Sequence, residues 1–210
     1  MVEFVGLNIY NTTEQLFVFS EFLVDIFCNL AEKFTEKESE FIQIIFDNIK
    51  RFLELSNHEL ITLDNGNKII VEKNVYASEA SQIVSETSIE EAIKVLEYNH
   101  FSNKGNIQRK KEILIALANY LEPFRRELNY SEELKDIMKV NNQKVIAFEK
   151  LFEMYNNFGL RHNNSNQYHL DLADDELEQW YDDIYTSTLF VILSMDESRI
   201  LSKLKTLREG

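Results

Sequence analysis

The sequence predicts a mainly α-helical protein: a helical bundle of about six to seven helices with one small β-hairpin near residues 59–72. The 210 residues include only five glycines and one proline, too few for the many tight turns of an all-β protein. Apolar residues recur at the 3.6-residue period of amphipathic helices over most of the chain. A chain of this length is also long enough to bury a substantial core.

Two amphipathic helices are predicted at the start of the chain. Asn11, Thr12 and Thr13 offer an N-cap to the first, which should end near Phe34, and the polar run 35–40 should separate it from the second. The residues expected to face the core are Leu16, Phe19, Leu23, Ile26, Phe27 and Leu30, then Phe41, Ile44, Ile45, Ile49, Phe52 and Leu53. The two helices are expected to pack as an antiparallel hairpin.

The dipeptide Asn65-Gly66 lies between two short β-branched runs and predicts a β-hairpin, because both central residues of a type I′ turn need positive φ. We interpret this ribbon as a packed connector; a cover over a site or an edge for a partner is the alternative. His58, at its start, is expected to be a surface or hydrogen-bonded residue.

Residues 73–87 are rich in Ser, Glu and Ala without clear periodicity, which indicates a short helix or a linker. We therefore place the loosest boundary of the chain in this stretch. It divides an N-terminal helical hairpin plus β-ribbon, residues 1–80, from a helical bundle, residues 81–210.

Helix start and stop signals divide the second region. Ser88 and Glu91 have capping-box form, and the helix that they begin should turn Ile89, Ala92, Ile93 and Leu96 inward. Pro123 should kink or end the helix that starts near Ile107, because proline removes a backbone donor. Ser131 can cap a short helix, and a polar break follows at Asn141-Asn142.

Two more apolar helices complete the bundle. The first is expected to bury Val145, Phe148, Leu151, Phe152, Tyr155 and Phe158. Asp174 is the expected N-cap of the second, which carries Leu177, Trp180/Tyr181, Ile184, Thr188, Val191 and Met195 at near-heptad spacing for about five turns. Residues 199–208 should form a short basic helix or a frayed tail.

The protein is acidic, and its formal net charge of −14 argues against binding nucleic acid through the overall field. Local charge differs, because residues 169–183 carry seven acids and no Lys or Arg. A basic band lies at Lys104, Arg109, Lys110, Lys111, Arg125 and Arg126. This band is a candidate for RNA binding, or it meets the acidic face of a second subunit.

The single cysteine, Cys28, lies among apolar residues and is expected to be a buried, inert thiol without a disulfide partner. No signal peptide and no run of 18 apolar residues appears, so we expect a soluble, cytoplasmic protein without a membrane partner. The acid pairs Asp174-Asp175 and Asp182-Asp183 are interpreted as a helix start and a solvated face. No metal or other cofactor is therefore expected.

One polar loop stands out between the last two apolar helices. The helical pattern breaks at Gly159 and passes into Arg161, His162 and Asn163, and His169 precedes the acidic helix. RNA cleavage without a metal needs a base to deprotonate the 2′-hydroxyl and a donor for the charge on the phosphoryl oxygens. Histidine and arginine suit these two tasks. The candidate catalytic residues are Arg161, His162, Asn163 and His169.

This arrangement resembles the HEPN superfamily, whose motif is arginine, a polar residue, and a histidine after a gap of usually four to six residues. The segment NNFGLRHNN with the following DDELEQWYDD also resembles the C-terminal part of abortive-infection-type phage-defence proteins, over about residues 88–196. The resemblance implies a metal-independent ribonuclease acting as a homodimer with a composite cleft. It assigns the phosphate to Arg161, the polar position to His162 and the base to His169.

Three other readings of the loop stay open. A non-catalytic module of the same setting would bind a cognate partner or antitoxin protein, and a sensor would bind a nucleotide at the loop. In a purely structural reading, Arg161 pairs with Asp171, Asp174 or another acid of the next helix, and the asparagines make the turn.

Overall fold

The computed structural model describes residues 13–30, 33–63, 66–161 and 171–209, and it confirms the mainly α-helical fold with a small β-hairpin. The chain forms two compact units, Met1–Glu72 and Lys73–Gly210. The division at residue 72 is earlier than the sequence-based boundary at residue 80. Within the described ranges, no helix is long and apolar enough to cross a membrane.

The first unit consists of two helices and a hairpin. The elements are α1 (Thr13–Leu30), α2 (Glu36–Leu55), β1 (His58–Thr62) and β2 (Lys68–Glu72). The strands pair antiparallel with Leu60 opposite Ile70, and Gly66 has the positive φ of +85° that the turn signal requires. His58 is hydrogen-bonded, as expected, with its Nδ1 2.7 Å from the Ser56 carbonyl oxygen.

The fully buried residues of α1 are not the predicted ones, although four of the six predicted residues are half-buried. The helix buries Phe17, Ser20 and Val24, whereas Leu16 and Phe19 are exposed. Because α1 is apolar on nearly all sides, its apolar spacing does not determine which face turns inward. Cys28 is likewise exposed rather than buried.

Helix α2 follows its prediction more closely at its end than at its start. It buries Ile49 and Leu53 as expected, but Phe41 is exposed. The helix begins inside the polar run that we interpreted as a break, because Thr35 and Glu38 form a capping box. The polar residues are therefore the first turn of the helix.

Two carboxylates of α1 satisfy backbone donors of β2. The Ile70 N–H donates to Glu21 Oε1 at 2.6 Å, and the Lys68 N–H donates to Asp25 Oδ1 at 3.4 Å. The spacing of four residues puts both acids on one face of α1, next to alternate N–H groups of the strand. Ile70 is fully buried, so its amide depends on this acceptor.

The second unit contains seven α-helices among its described residues. They are α3 (Val75–Ser85), α4 (Ile89–Glu97), α5 (Ile107–Leu121), α6 (Arg125–Tyr130), α7 (Glu132–Ile137), α8 (Ile146–Asn157) and α9 (Asp174–Glu209). A two-residue ribbon, β3 (Val140–Asn141) with β4 (Lys144–Val145), precedes α8. Helices α3, α5, α7 and α8 all pack against α9.

Helix α3 resolves the stretch that the sequence left between a helix and a linker. Its buried residues are Ala77, Ala80, Ser81 and Val84, at helical spacing. Three of the four side chains are small, which explains why no strong apolar period is visible. The Ser81 hydroxyl donates to the Ala92 carbonyl oxygen at 2.9 Å and joins α3 to α4. In α4 the buried residues are Ala92 and Val95, and Ile89 is exposed rather than inward.

The turn signals between α5 and α8 have their expected effect, with one addition. Helix α5 ends at Leu121, and Pro123 lies in a short 3₁₀ turn before α6. Ser131 caps α7 by accepting the Leu134 N–H at 3.3 Å. The polar break proved to be a hairpin turn in which Asn142 and Gln143 both have positive φ, 50° and 66°.

Helix α9 is one continuous helix of 36 residues rather than a helix and a separate tail. Leu177, Tyr181, Ile184, Thr188 and Val191 are buried as predicted. Asp174 is the first helical residue and not the N-cap, so its charge acts with Asp175 on the helix dipole.

The Glu21 contact gives a first prediction. Replacing Glu21 by alanine leaves the buried Ile70 N–H without its acceptor and should reduce the free energy of unfolding of the first unit by about 1–3 kcal/mol. Hydrogen exchange at the Ile70 amide, measured by NMR, should accelerate correspondingly. Glu40→Ala, at an exposed position of α2, is the matched control and should leave this exchange rate unchanged.

Candidate functional site around Arg161

The end of α8 fixes the position of Arg161. Gly159 takes a positive φ of 65°, and the Leu160 N–H donates to the Tyr155 carbonyl oxygen at 3.0 Å. This is the six-to-one bond of a Schellman motif, in which glycine ends a helix without the strain of a Cβ. Leu160 is buried against the core and anchors the turn. Arg161 therefore follows a rigid helix end.

The Arg161 side chain makes internal contacts. Its Nη1 lies 2.8 Å from Glu122 Oε2, and its guanidinium carbon lies 5.9 Å from the centre of the Phe152 ring. Only 10% of the side chain is exposed, against 39% for Glu122. The paired acid, Glu122, lies in the Pro123 turn. The purely structural interpretation of the loop had expected an acid near the start of α9. His162, Asn163 and His169 lie outside the described residues.

Arg125 contacts the same aromatic ring. Its guanidinium carbon lies 4.7 Å from the Phe152 centroid, and its Nη2 is 3.6 Å from a carboxylate oxygen of Glu149. Cation–π contacts of this kind attract a cation to the ring face. Phe152, fully buried in the core, thus supports two guanidinium groups, and each of them pairs with a glutamate.

An open cleft of about 480 Å³ adjoins Arg125. Its lining side chains are polar or charged apart from one: Arg125, Asn141, Asn142, Lys144, Ile146, Glu149, Lys150, Glu153 and Asn156. Three cations face two carboxylates here, so the lining has a small positive excess. Lys144 and Lys150 were not predicted as site residues. The Asn141-Asn142 turn was the available signal, because it folds Lys144 back onto the first turn of α8.

Glu149 organises this cleft. It accepts hydrogen bonds from Lys144 Nζ at 3.1 Å and from Asn129 Nδ2 at 2.7 Å. Burial raises the pKa of the Glu149 carboxyl, but the contacts with Lys144, Arg125 and Asn129 outweigh burial and hold this pKa below its usual value. The Oδ1 atom of Asn156 is buried without a hydrogen-bond donor from the described residues.

Two other residues of the predicted basic band, Lys110 and Arg109, lie in structural ion pairs. Lys110 is buried, and its Nζ is 2.8 Å from Glu178 and 2.6 Å from Asp182. Arg109 pairs with Glu97 and, at 3.1 Å, with Glu112. Lys110 thus pairs with the acidic start of α9 within one chain, whereas Arg109 pairs with acids of α4 and α5.

Tyrosines complete the environment of Lys110. Its Nζ lies 5.4 Å from the centre of the Tyr98 ring, and Tyr98 stacks on Tyr185 with centroids 3.9 Å apart. The Tyr98 hydroxyl donates to Asp182 at 2.8 Å. Burial raises the pKa of Tyr98, and the neighbouring Asp182 carboxylate raises it further. The phenol therefore stays protonated and acts as a donor.

Comparisons with known proteins do not assign a family to this geometry. No protein-family model matches the chain, and no curated protein or solved structure matches it. Within the part of the chain that the structure describes, no group of His, Cys, Asp or Glu side chains is arranged to hold a metal ion.

Substitutions at Lys110 and Lys111 test which cations of the basic band are structural and which are available to bind RNA. Lys110→Ala leaves Glu178 and Asp182 without their cation and should lower the free energy of unfolding by about 3 kcal/mol, measured by urea denaturation. Lys111→Ala, at the next position of α5 and half-exposed, should change it by no more than about 0.5 kcal/mol. Equal destabilisation by the two substitutions would contradict the structural role of Lys110.

Proposed function

We propose that this chain is a HEPN-like, metal-independent ribonuclease effector of a bacterial antiviral or toxin–antitoxin system. The supporting observation is the position of Arg161. It follows the rigid end of α8, at the start of the segment that leads to α9, and these two helices pack against each other in the core. The resemblance expects the motif arginine between the last two long helices of an α-helical bundle.

In this proposal, His169 removes the proton from a ribose 2′-hydroxyl, and the resulting oxygen attacks the adjacent phosphorus. The 5′-oxygen leaves with the bonding electron pair and takes a proton from solvent water, and a 2′,3′-cyclic phosphate forms. Arg161 donates to the phosphoryl oxygens, on which negative charge grows, and His162 and Asn163 lie next to it in the sequence. A positioned base contributes about 10²–10⁴-fold to such a reaction, and donors to the developing charge contribute about 10²–10³-fold.

The cleft beside Arg125 supports an extended RNA contact. Lys144 and Lys150 add to Arg125 the kind of cations that bind phosphates along a strand. Among the band residues named from the sequence, Lys104 and Arg126 are exposed, whereas Lys110 is buried in ion pairs. Arg125, Lys144 and Lys150 also pair with carboxylates, but their side chains stay 33%, 40% and 66% exposed. We therefore assign RNA binding to the cleft rather than to Lys110, whose side chain is only 8% exposed.

One observation favours a second candidate, a non-catalytic module that binds a partner protein. Arg161 is mostly buried, and Glu122 already neutralises its charge at 2.8 Å. A phosphate must share or displace this carboxylate, which weakens the electrostatic attraction. In this candidate the Arg161–Glu122 pair only holds the end of α8 against the Pro123 turn.

Substitutions of Arg161 and of its partner Glu122 distinguish the ribonuclease from the non-catalytic module. For the ribonuclease, Arg161→Ala and His169→Ala should each reduce RNA cleavage by about 100-fold or more. Glu122→Gln breaks the same ion pair but retains the arginine, so cleavage should persist. The measurement is the initial rate of cleavage of a labelled single-stranded RNA in the presence of EDTA.

Thermal melting of each variant provides the control. Arg161→Ala and Glu122→Gln both lose the ion pair and should lower the melting temperature by similar amounts. If the wild-type protein leaves RNA intact, the ribonuclease proposal fails. If Glu122→Gln abolishes cleavage as fully as Arg161→Ala, the catalytic role assigned to Arg161 fails. A change confined to partner binding would then support the interaction module.

A further inference from the structure

A second cavity, of about 530 Å³, opens in the second unit beside the second half of α9. Its other walls are the end of α3, the end of α5 with the Pro123 turn, and the corner between α6 and α7. Helices α3 and α7 both pack against α9. Sites for small molecules typically have volumes of about 300–1,000 Å³. The cavity is therefore large enough for a small organic ligand.

Part of the wall of this cavity is apolar. Leu128 and Leu134 are buried, and Ile83, Phe124 and Met195 are partly buried and pack against the core of the unit. Methylene groups of a ligand would remove more of this apolar surface from water, which favours binding. A hydrated metal ion would leave the surface uncovered. The wall therefore favours a ligand with an apolar part.

Two aromatic rings of the lining lie next to each other. The ring centroids of Tyr120 and Phe124 are 5.5 Å apart, and the ring planes are tilted by 48°. The Tyr120 hydroxyl and Thr87 Oγ1 form a hydrogen bond of 2.8 Å, which holds the tyrosine against the end of α3. Both rings are only partly buried. Because the faces of aromatic rings attract ammonium groups, this side of the cavity favours an organic cation.

The lining is also acidic. Its described residues include four carboxylates and only two cations, Arg199 and Lys203, which leaves an excess of two negative charges. Arg199 already interacts with two of the acids. Its Nε donates to Asp196 Oδ1 at 2.9 Å, and this contact raises the pKa of Arg199, as does the nearby Glu86 carboxylate. An anionic ligand such as a nucleotide would be repelled by this lining.

The other two acids lie on the wall formed by α6 and α7. Glu133 accepts a hydrogen bond from the Ser131 hydroxyl at 3.1 Å. Its own backbone N–H and this hydroxyl lower the pKa of Glu133, so its carboxylate stays charged. Glu127 is exposed and forms no ion pair with another described residue. Since a carboxylate can accept several hydrogen bonds, both acids remain acceptors for an ammonium group.

We propose that this cavity binds an aliphatic polyamine. A polyamine alternates ammonium groups with short methylene segments, and the cavity combines carboxylates on two walls with an apolar surface and two aromatic rings. Glu127 and Glu133 bind one ammonium group, and the methylene segments cover Leu128 and Leu134. The inference does not depend on ribonuclease activity. It is read from ligand binding, whereas the proposed function is read from RNA cleavage, so either proposal can fail without the other.

The test is isothermal titration calorimetry of the full chain with spermidine. A salt concentration of about 0.15 M screens attraction by the overall negative charge of the protein. The wild-type protein should show one saturable site. Glu127→Gln should weaken binding by about fivefold or more, because it removes a charge that faces the ligand. Glu132→Gln is the control and should leave the affinity unchanged, because Glu132 is exposed, pairs with Lys135 and does not line the cavity.

Two ligands of the same charge test the apolar contacts and the source of the ammonium groups. Hexaamminecobalt(III) carries no methylene groups and should bind about tenfold or more weakly than spermidine. A trilysine peptide with blocked ends represents the side chains of a partner protein and should also bind more weakly. Circular dichroism should show the same fold for both variants, because both positions are exposed.

Four results would each overturn the proposal. They are the absence of a saturable spermidine site, equal affinity for the cobalt complex, tighter binding of the trilysine peptide, and equal losses of affinity in Glu127→Gln and Glu132→Gln.

Discussion

The fold of the second unit depends on one helix, α9, which is the common packing surface for several other helices. Helices α3, α5, α7 and α8 all pack against α9, and the burial of its apolar stripe supplies much of the core. Two polar contacts fix the helix in register. Tyr155 and Thr188 share a buried hydrogen bond of 2.6 Å, and Lys110 ties α5 to Glu178 and Asp182. Because a buried ammonium is stable only beside its carboxylates, this pairing holds α5 at one position along α9.

The sequence predicted an element correctly where a local physical signal permits only one backbone structure. The β1–β2 hairpin with Gly66 in its turn, the end of α5 before Pro123, and the Ser131 cap all follow from backbone restrictions that do not depend on distant residues. The sequence did not predict the buried face of a helix where several faces are similarly apolar or where the buried side chains are small. Helix α1 is apolar on most sides, so tertiary packing alone selects Phe17 over Phe19. Helix α3 buries small side chains, which give little periodic contrast.

The candidate site shows the same limit. The sequence located Arg161 after a helix-ending glycine, and the Schellman motif at Gly159 agrees with that reading. It did not identify Glu122, which lies 39 residues earlier and reaches Arg161 only because the Pro123 turn brings it there. Nor did it identify the cleft beside Arg125, because Lys144 and Asn156 come from different elements. Pairings distant in sequence leave no local pattern, and charge alone does not separate a buried lysine from an available one.

The two carboxylates over β2 have a consequence for how the first unit behaves among its own copies. A free strand edge presents a row of N–H groups onto which another extended chain can add. In this unit Glu21 and Asp25 occupy alternate donors of β2 and bring negative charge to that border. These two N–H groups are thereby unavailable for intermolecular strand pairing, which opposes the growth of β-aggregates along this edge.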